Sequence, residues 1–91
     1  MAPELIEGDG LYTKAVDVYS FGIILFEIVT QSVPYPDIPK RDLWKLVATG
    51  IRPTIPPTLN RNYAELMERC WHSSPGVRPT FDQIINDLNN I

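Results

Sequence analysis

The strongest constraint on this chain is residues 17–30, which predict one helix that is apolar on nearly every side. The helix should begin near Ala15 or at Asp17, a good N-cap residue, and residues 31–34 should end it because they include a proline. A helix of this kind is either buried in protein or crosses a membrane. Spanning needs about 20 apolar residues without charges, and this segment is shorter and contains Glu27. We therefore predict burial within protein.

Three further segments have the apolar spacing of amphipathic helices, and stretches rich in proline or glycine separate them. One lies between Pro39 and Thr49, and the next runs from about Asn62 to His72. The last begins near Thr80, which matches a capping box with a glutamine three residues later. No alternation of apolar and polar residues indicates a sheet. The predicted fold class is all-α, with about four helices arranged around the one buried hydrophobic helix.

Three amphipathic helices can cover only part of a helix that is apolar all round. A domain of this size buries only about 60% of the surface that its unfolded chain exposes, so full cover from within the chain is not expected. We therefore expect further protein, encoded upstream, to pack on the hydrophobic helix.

Composition excludes several classes of function. The 91 residues are 44% apolar and 21% charged, which is typical of one small globular domain. The net charge of -3 and the scattered basic residues provide no patch for nucleic acid or an anionic membrane. The single cysteine, Cys70, cannot form an internal disulfide, and no targeting segment opens the chain. These features predict an intracellular, cytoplasmic location.

Several short motifs occur in a characteristic order and spacing. They are Ala2-Pro3-Glu4, Asp17-Val18-Tyr19-Ser20-Phe21-Gly22, Pro34-Tyr35, Cys70-Trp71 and Arg78-Pro79-Thr80-Phe81. Ala-Pro-Glu alone is a weak signal, but the whole set resembles the C-terminal part of the C-lobe of protein kinases, from the Ala-Pro-Glu motif onward. The resemblance covers the whole chain. It implies that residues 1–91 are a partial kinase domain in which the N-lobe, the catalytic loop and the metal-binding motif are absent.

The resemblance implies structural roles for five residues. Glu4 should pair with Arg78, because a largely buried carboxylate needs a partner and arginine can bind it in a bidentate way; the alternative is that both are ordinary surface charges. Asp17 matches an aspartate that accepts backbone hydrogen bonds from the catalytic loop, besides its N-cap role. Ile24 and Ile28 match positions that support the hydrophobic column beneath the adenine ring; plain core packing also describes them, since the two interpretations differ only in what lies above the residues.

Phosphoryl transfer needs a glycine-rich cover, a lysine on the phosphates, two metal ligands and a carboxylate that orients the hydroxyl. The sequence contains none of these in the required context. We therefore expect no catalytic, cofactor-binding or metal-binding residue in this chain, whereas ATP and Mg²⁺ are implied for the complete domain. The isolated chain should be inactive.

Residues 30–35 and Tyr19, where tryptophan is commoner, are more similar to the tyrosine-kinase-like group than to true tyrosine kinases. The resemblance thus implies a kinase that acts on protein serine or threonine, with tyrosine as the less favoured alternative. Its expected partners are the missing N-terminal part of the domain and a protein substrate, with no nucleic acid or membrane. The alternative is a non-catalytic interaction module in which Trp44 and Tyr35 are contact candidates.

Overall fold

The computed structural model describes residues 2–3 and 14–91. Within residues 14–91 there are four helices of at least nine residues and one short 3-10 helix: α1 is Lys14–Thr30, α2 is Lys40–Ala48, α3 is Arg61–Cys70, the 3-10 helix is Pro75–Val77, and α4 is Phe81–Asn89. Over these residues there is no β-strand, so the predicted all-α class is confirmed. The 3-10 turn was not predicted.

The helix ends follow local sequence signals. The Thr80 hydroxyl accepts a hydrogen bond from the Gln83 amide at 3.2 Å, and the Gln83 side chain accepts one from the Thr80 amide at 2.9 Å, which confirms the predicted capping box. The side chain of Asn60 caps α3 by accepting from the amide of Asn62 at 2.8 Å. After α2, Gly50 has a φ of 111°, a conformation that favours glycine.

The predicted N-cap role of Asp17 is wrong. Helix α1 already includes Lys14, so Asp17 lies within its first turn instead of before it. The helical backbone extends three residues upstream of Asp17, through the apolar Ala15 and Val16. A carboxylate in the first turn still interacts favourably with the positive end of the helix dipole.

The main helix-helix contact joins α1 to α3. The approach is close at Gly22, where an added Cβ would lie only 2.8 Å from the Cβ of Cys70. Around it lies a core of buried apolar side chains from all four helices, including Val18, Leu25, Phe26, Val47, Leu66, Met67 and Ile84. Glycine at position 22 therefore sets how closely the two helices approach.

The opposite face of α1 is not covered by the described residues. Ile24 is 51% exposed and Ile28 is 65% exposed, so the described residues bury neither side chain. They lie one turn apart on the face of α1 that is directed away from α3, whereas the buried side chains of α1 lie on the face that packs on α3. The described helices are too few to enclose α1, as the sequence predicts. No helix among the described residues has the length and apolarity needed to span a bilayer.

Candidate functional site

Tyr19 occupies the centre of the structure, between two arginines. Its side chain is buried on α1, and the guanidinium carbon of Arg52 lies 5.2 Å from the ring centroid while that of Arg78 lies 5.1 Å from it. Both distances are within the range of cation-π attraction, which strengthens when the groups are shielded from water. We call Tyr19, Arg52 and Arg78 the arginine-tyrosine cluster.

Arg78 joins the segment before α4 to the start of α1. Its Nε donates to the His72 carbonyl at 2.9 Å and its Nη1 donates to the Ala15 carbonyl at 2.9 Å. The residue is only 7% exposed, which contradicts the alternative that it is an ordinary surface charge. Its predicted partner, Glu4, lies outside the described residues, so that ion pair stays a prediction.

Arg52 is a structural anchor that the sequence reasoning missed. Its Nε donates to the Trp71 carbonyl at 2.7 Å, and its Nη1 donates to the carbonyls of Val47 and Ile51 at 3.0 and 2.8 Å. Its Nη2 donates to the hydroxyl of Ser73 at 3.0 Å. These bonds tie the end of α2 to the end of α3. The available signal was a lone arginine, between an isoleucine and a proline, in a segment predicted to be extended. Because each proline there lacks an N–H group, the segment offers few backbone donors to nearby carbonyl groups, and the arginine side chain can provide them.

A groove of about 270 Å³ lies beside the cluster, between α1, the connection of residues 31–39 and α2. Apolar and aromatic side chains form most of its lining, including those of Tyr19, Ile23, Tyr35, Leu43 and Trp44. Lys40 is the one charged residue among the described lining residues. Burial and the neighbouring Tyr19 phenol raise the pKa of Tyr35 well above its ordinary value. The Tyr35 phenol therefore stays neutral at physiological pH.

The predicted site residues fall into two separate places. Asp17 and Arg78 line the same hollow, of about 590 Å³, at the start of α1. Ile24 and Ile28 lie apart from it on the exposed face of α1. The structure thus brings together two of the five residues, leaves two on an unfilled face, and does not describe the fifth, Glu4.

The described part of the chain forms neither a cluster of metal ligands nor an activated thiol. No three His, Cys, Asp or Glu side chains there come together in a way that could hold a metal ion. Burial raises the pKa of the Cys70 thiol to about 11, so it is protonated and unreactive at neutral pH. These residues do not fit an ATP-Mg²⁺ complex, and no step of phosphoryl transfer can be assigned to them.

Comparison with known proteins gives a consistent picture. Residues 1–88 match the family model described as protein tyrosine and serine/threonine kinase. The whole chain is 45% identical to a probable serine/threonine-protein kinase of Dictyostelium discoideum and 43% identical to a probable LIM domain-containing serine/threonine-protein kinase of the same organism. It is also 42% identical to fibroblast growth factor receptor 1 of Xenopus laevis. The chain spans only 6%, 14% and 11% of the length of these three relatives, respectively.

Proposed function

The chain belongs to the protein tyrosine and serine/threonine kinase family, and on that premise we propose that it forms the C-terminal helical part of a kinase catalytic domain. In its complete form, that domain transfers the γ-phosphate of ATP to serine or threonine hydroxyls of protein substrates; tyrosine hydroxyls are the less favoured alternative. The observation that carries the proposal is the match over residues 1–88, together with two serine/threonine kinase relatives above 40% identity.

Within such a domain, this chain supplies the scaffold. The arginine-tyrosine cluster fixes the start of α1 against the segment before α4, and Glu4 completes the environment of Arg78. ATP and Mg²⁺ bind to other parts of the domain, so the 91 residues alone neither bind nucleotide nor transfer phosphate. An intracellular location stays a prediction from the single cysteine.

The exposed face of α1 is the surface on which the rest of the domain packs. This accounts for the exposure of two large apolar side chains on α1, Ile24 at 51% and Ile28 at 65%. Because 51% of Ile24 and 65% of Ile28 remain exposed, burying the rest of each under further protein would contribute about 1 to 2 kcal/mol each.

The test compares one double substitution, Ile24→Ser with Ile28→Ser, in two settings. In the 91-residue chain, the change should lower the free energy of unfolding by no more than about 1 to 1.5 kcal/mol, because half or more of each side chain already contacts water. In the complete kinase domain, it should cost at least about 3 kcal/mol, because two buried apolar groups become polar. Urea denaturation measures both values. Equal effects in the two settings would contradict the proposal.

Activity is tested on the same two proteins. The complete domain should incorporate phosphate from ATP into serine and threonine of a mixed peptide library, and the 91-residue chain should show neither incorporation nor ATP binding by calorimetry. Specific ATP binding by the 91-residue chain would refute the assignment of a scaffold role. Exclusive phosphotyrosine formation by the complete domain would refute the serine/threonine assignment.

A second candidate function is a non-catalytic module that binds another protein. The observation that favours it is Trp44, which is 53% exposed beside the groove. Reading the DNA upstream of the Met1 codon separates the two candidates. In-frame codons for His-Arg-Asp and Asp-Phe-Gly support the kinase domain, and their absence supports the module.

A further inference from the structure

We propose that the groove between α1 and α2 binds a short peptide segment of a partner protein, in which a carboxylate lies two residues from a branched aliphatic side chain. The proposal concerns binding alone and does not depend on phosphoryl transfer. Its basis is the shape of the groove, the fixed position of one aromatic ring and the single uncompensated charge at its edge.

The size and lining of the groove select the apolar part of the ligand. Its volume of about 270 Å³ is at the lower limit for small-molecule pockets, which typically run from about 300 to 1,000 Å³. It therefore holds one or two side chains, and it is too small for a long acyl chain. Ile23, Leu43 and Val47 line it with aliphatic groups, which complement a leucine or isoleucine side chain.

Trp44 provides a preorganised contact at the open side of the groove. Its Nε1 donates to the Arg41 carbonyl at 2.9 Å, so the only polar atom of the indole is already satisfied within α2. The ring nevertheless remains 53% exposed. A large apolar ring that is held in place loses little conformational freedom on binding, which is the property of residues that dominate binding energy at interfaces.

Lys40 selects the charged part of the ligand. It lines the groove and is exposed, and within the described ranges no carboxylate lies close enough to pair with it. The neighbouring Arg41 has a carboxylate, Asp42, at 3.9 Å. Lys40 is also the first residue of α2, so the positive end of the helix dipole adds to its charge. The edge of the groove therefore favours an anion.

The spacing between charge and apolar surface defines the peptide. Lys40 and Trp44 are four residues apart on one helix, which places them about 5 to 6 Å apart at the level of Cβ. In an extended peptide, side chains at positions i and i+2 point to the same side and lie about 6.6 Å apart along the chain. An Asp-x-Leu or Glu-x-Leu segment can therefore place its carboxylate toward Lys40 and its aliphatic side chain in the groove beside Trp44.

The test measures binding of the 91-residue chain to a fluorescein-labelled peptide of nine residues, glycine and serine apart from a central Asp-Ser-Leu, by fluorescence polarisation. Two matched peptides carry Asn-Ser-Leu, which removes the charge, and Asp-Ser-Ala, which removes the aliphatic group. We expect the first change to weaken binding about two- to fivefold and the second about tenfold. Equal affinity for all three peptides, or no binding of any, would overturn the proposal.

Substitutions in the protein provide the second arm. Lys40→Gln should weaken binding of the Asp-Ser-Leu peptide as much as the Asn-Ser-Leu change does, and it should have no further effect on the Asn-Ser-Leu peptide. Lys45→Gln is the matched control, because Lys45 is exposed on the same helix and does not line the groove. Trp44→Ala should weaken binding about tenfold. If circular dichroism shows that the Trp44→Ala variant is unfolded, the two matched peptides and the Lys40→Gln variant still test whether the groove binds the peptide.

Two other occupants are distinguished in the same experiment. If decanoate displaces the peptide and itself binds more tightly, the groove takes a fatty acid and the peptide proposal is wrong. If sedimentation shows a dimer that Trp44→Ala dissociates, the occupant is a second copy of the chain, and the proposal is again wrong. A monomer that binds the peptide, resists decanoate and loses affinity with Lys40→Gln supports it.

Discussion

Substitution of Gly22 by alanine is the sharpest test of how α1 and α3 pack. The new Cβ would lie 2.8 Å from the Cβ of Cys70, well inside the separation of two carbon atoms in contact. Both atoms are attached directly to helical backbone, so no rotation of a side chain can relieve the overlap. The two helices must move apart, and every atom pair along their interface then loses attraction.

The magnitude follows from two opposing terms. Alanine is favoured over glycine in a helix interior by about 1 kcal/mol. A gap of roughly half an ångström forfeits about a quarter of the dispersion energy at each contact, and overpacked core variants typically lose about 1 to 3 kcal/mol. Because the overlap involves two backbones, we expect the loss to exceed the gain, with a net destabilisation of about 1 to 2 kcal/mol. For a chain of this length, each kcal/mol lowers Tm by about 4 to 8 °C.

Urea denaturation of matched alanine variants measures the effect. An added Cβ at Gly76 would have no neighbour within 4 Å, so Gly76→Ala should be neutral or stabilising by up to about 1 kcal/mol. Combining Gly22→Ala with Cys70→Gly should recover stability relative to the sum of the single changes, whereas Cys70→Ala should not, because its Cβ remains. A Gly22→Ala variant as stable as the wild type would refute the close approach.

Three further changes test other contacts. Arg52→Met keeps most of the aliphatic stem but removes the donors to three carbonyls and the cation above Tyr19; it should lower the free energy of unfolding by about 2 to 4 kcal/mol in urea titrations, and an unchanged midpoint would contradict its anchoring role. Thr80→Ala removes the capping box and should cost about 0.5 to 2 kcal/mol, measured by thermal melting, with Thr54→Ala, in an exposed loop, as the control. Folding raises the pKa of the Cys70 thiol from an ordinary 9.0 to about 11, so as pH rises the thiol of the unfolded chain ionises first, and the free energy of unfolding should fall between pH 9 and 11. A Cys70→Ala variant should show a smaller decline over this range. Identical pH profiles of the free energy of unfolding for the two proteins would exclude this linkage.

The helices were predictable from sequence because their signals are local. Apolar spacing located α2, α3 and α4 to within a few residues, and a threonine three residues before a glutamine identified the cap of α4. The start of α1 was predicted near Ala15 or at Asp17, and because the helix includes Lys14, the choice of Asp17 was too late. The error turned Asp17 from a first-turn residue into an apparent cap.

The cluster around Tyr19 was only half predictable. Arg78 was identified by family resemblance, which also named Glu4 as its partner; the burial of Arg78 agrees with that role, while Glu4 lies outside the described residues. Arg52 was missed because its partners are carbonyl groups at Val47, Ile51 and Trp71, and a carbonyl leaves no trace in the sequence. Such hydrogen bonds depend on which backbone segments the folded chain brings close to the arginine, and a local sequence pattern does not predict this.

The pairing of α1 with α3 also has a consequence for the time course of protein synthesis. The last residue of α3, Cys70, leaves the ribosome roughly 40 residues after Thr30, the last of α1. At about 5 to 20 residues per second, the most hydrophobic helix waits about 2 to 8 seconds for the partner that buries it. During those seconds the nascent chain presents Val18, Leu25 and Phe26 to its surroundings, and its yield in the cell depends on what shields them.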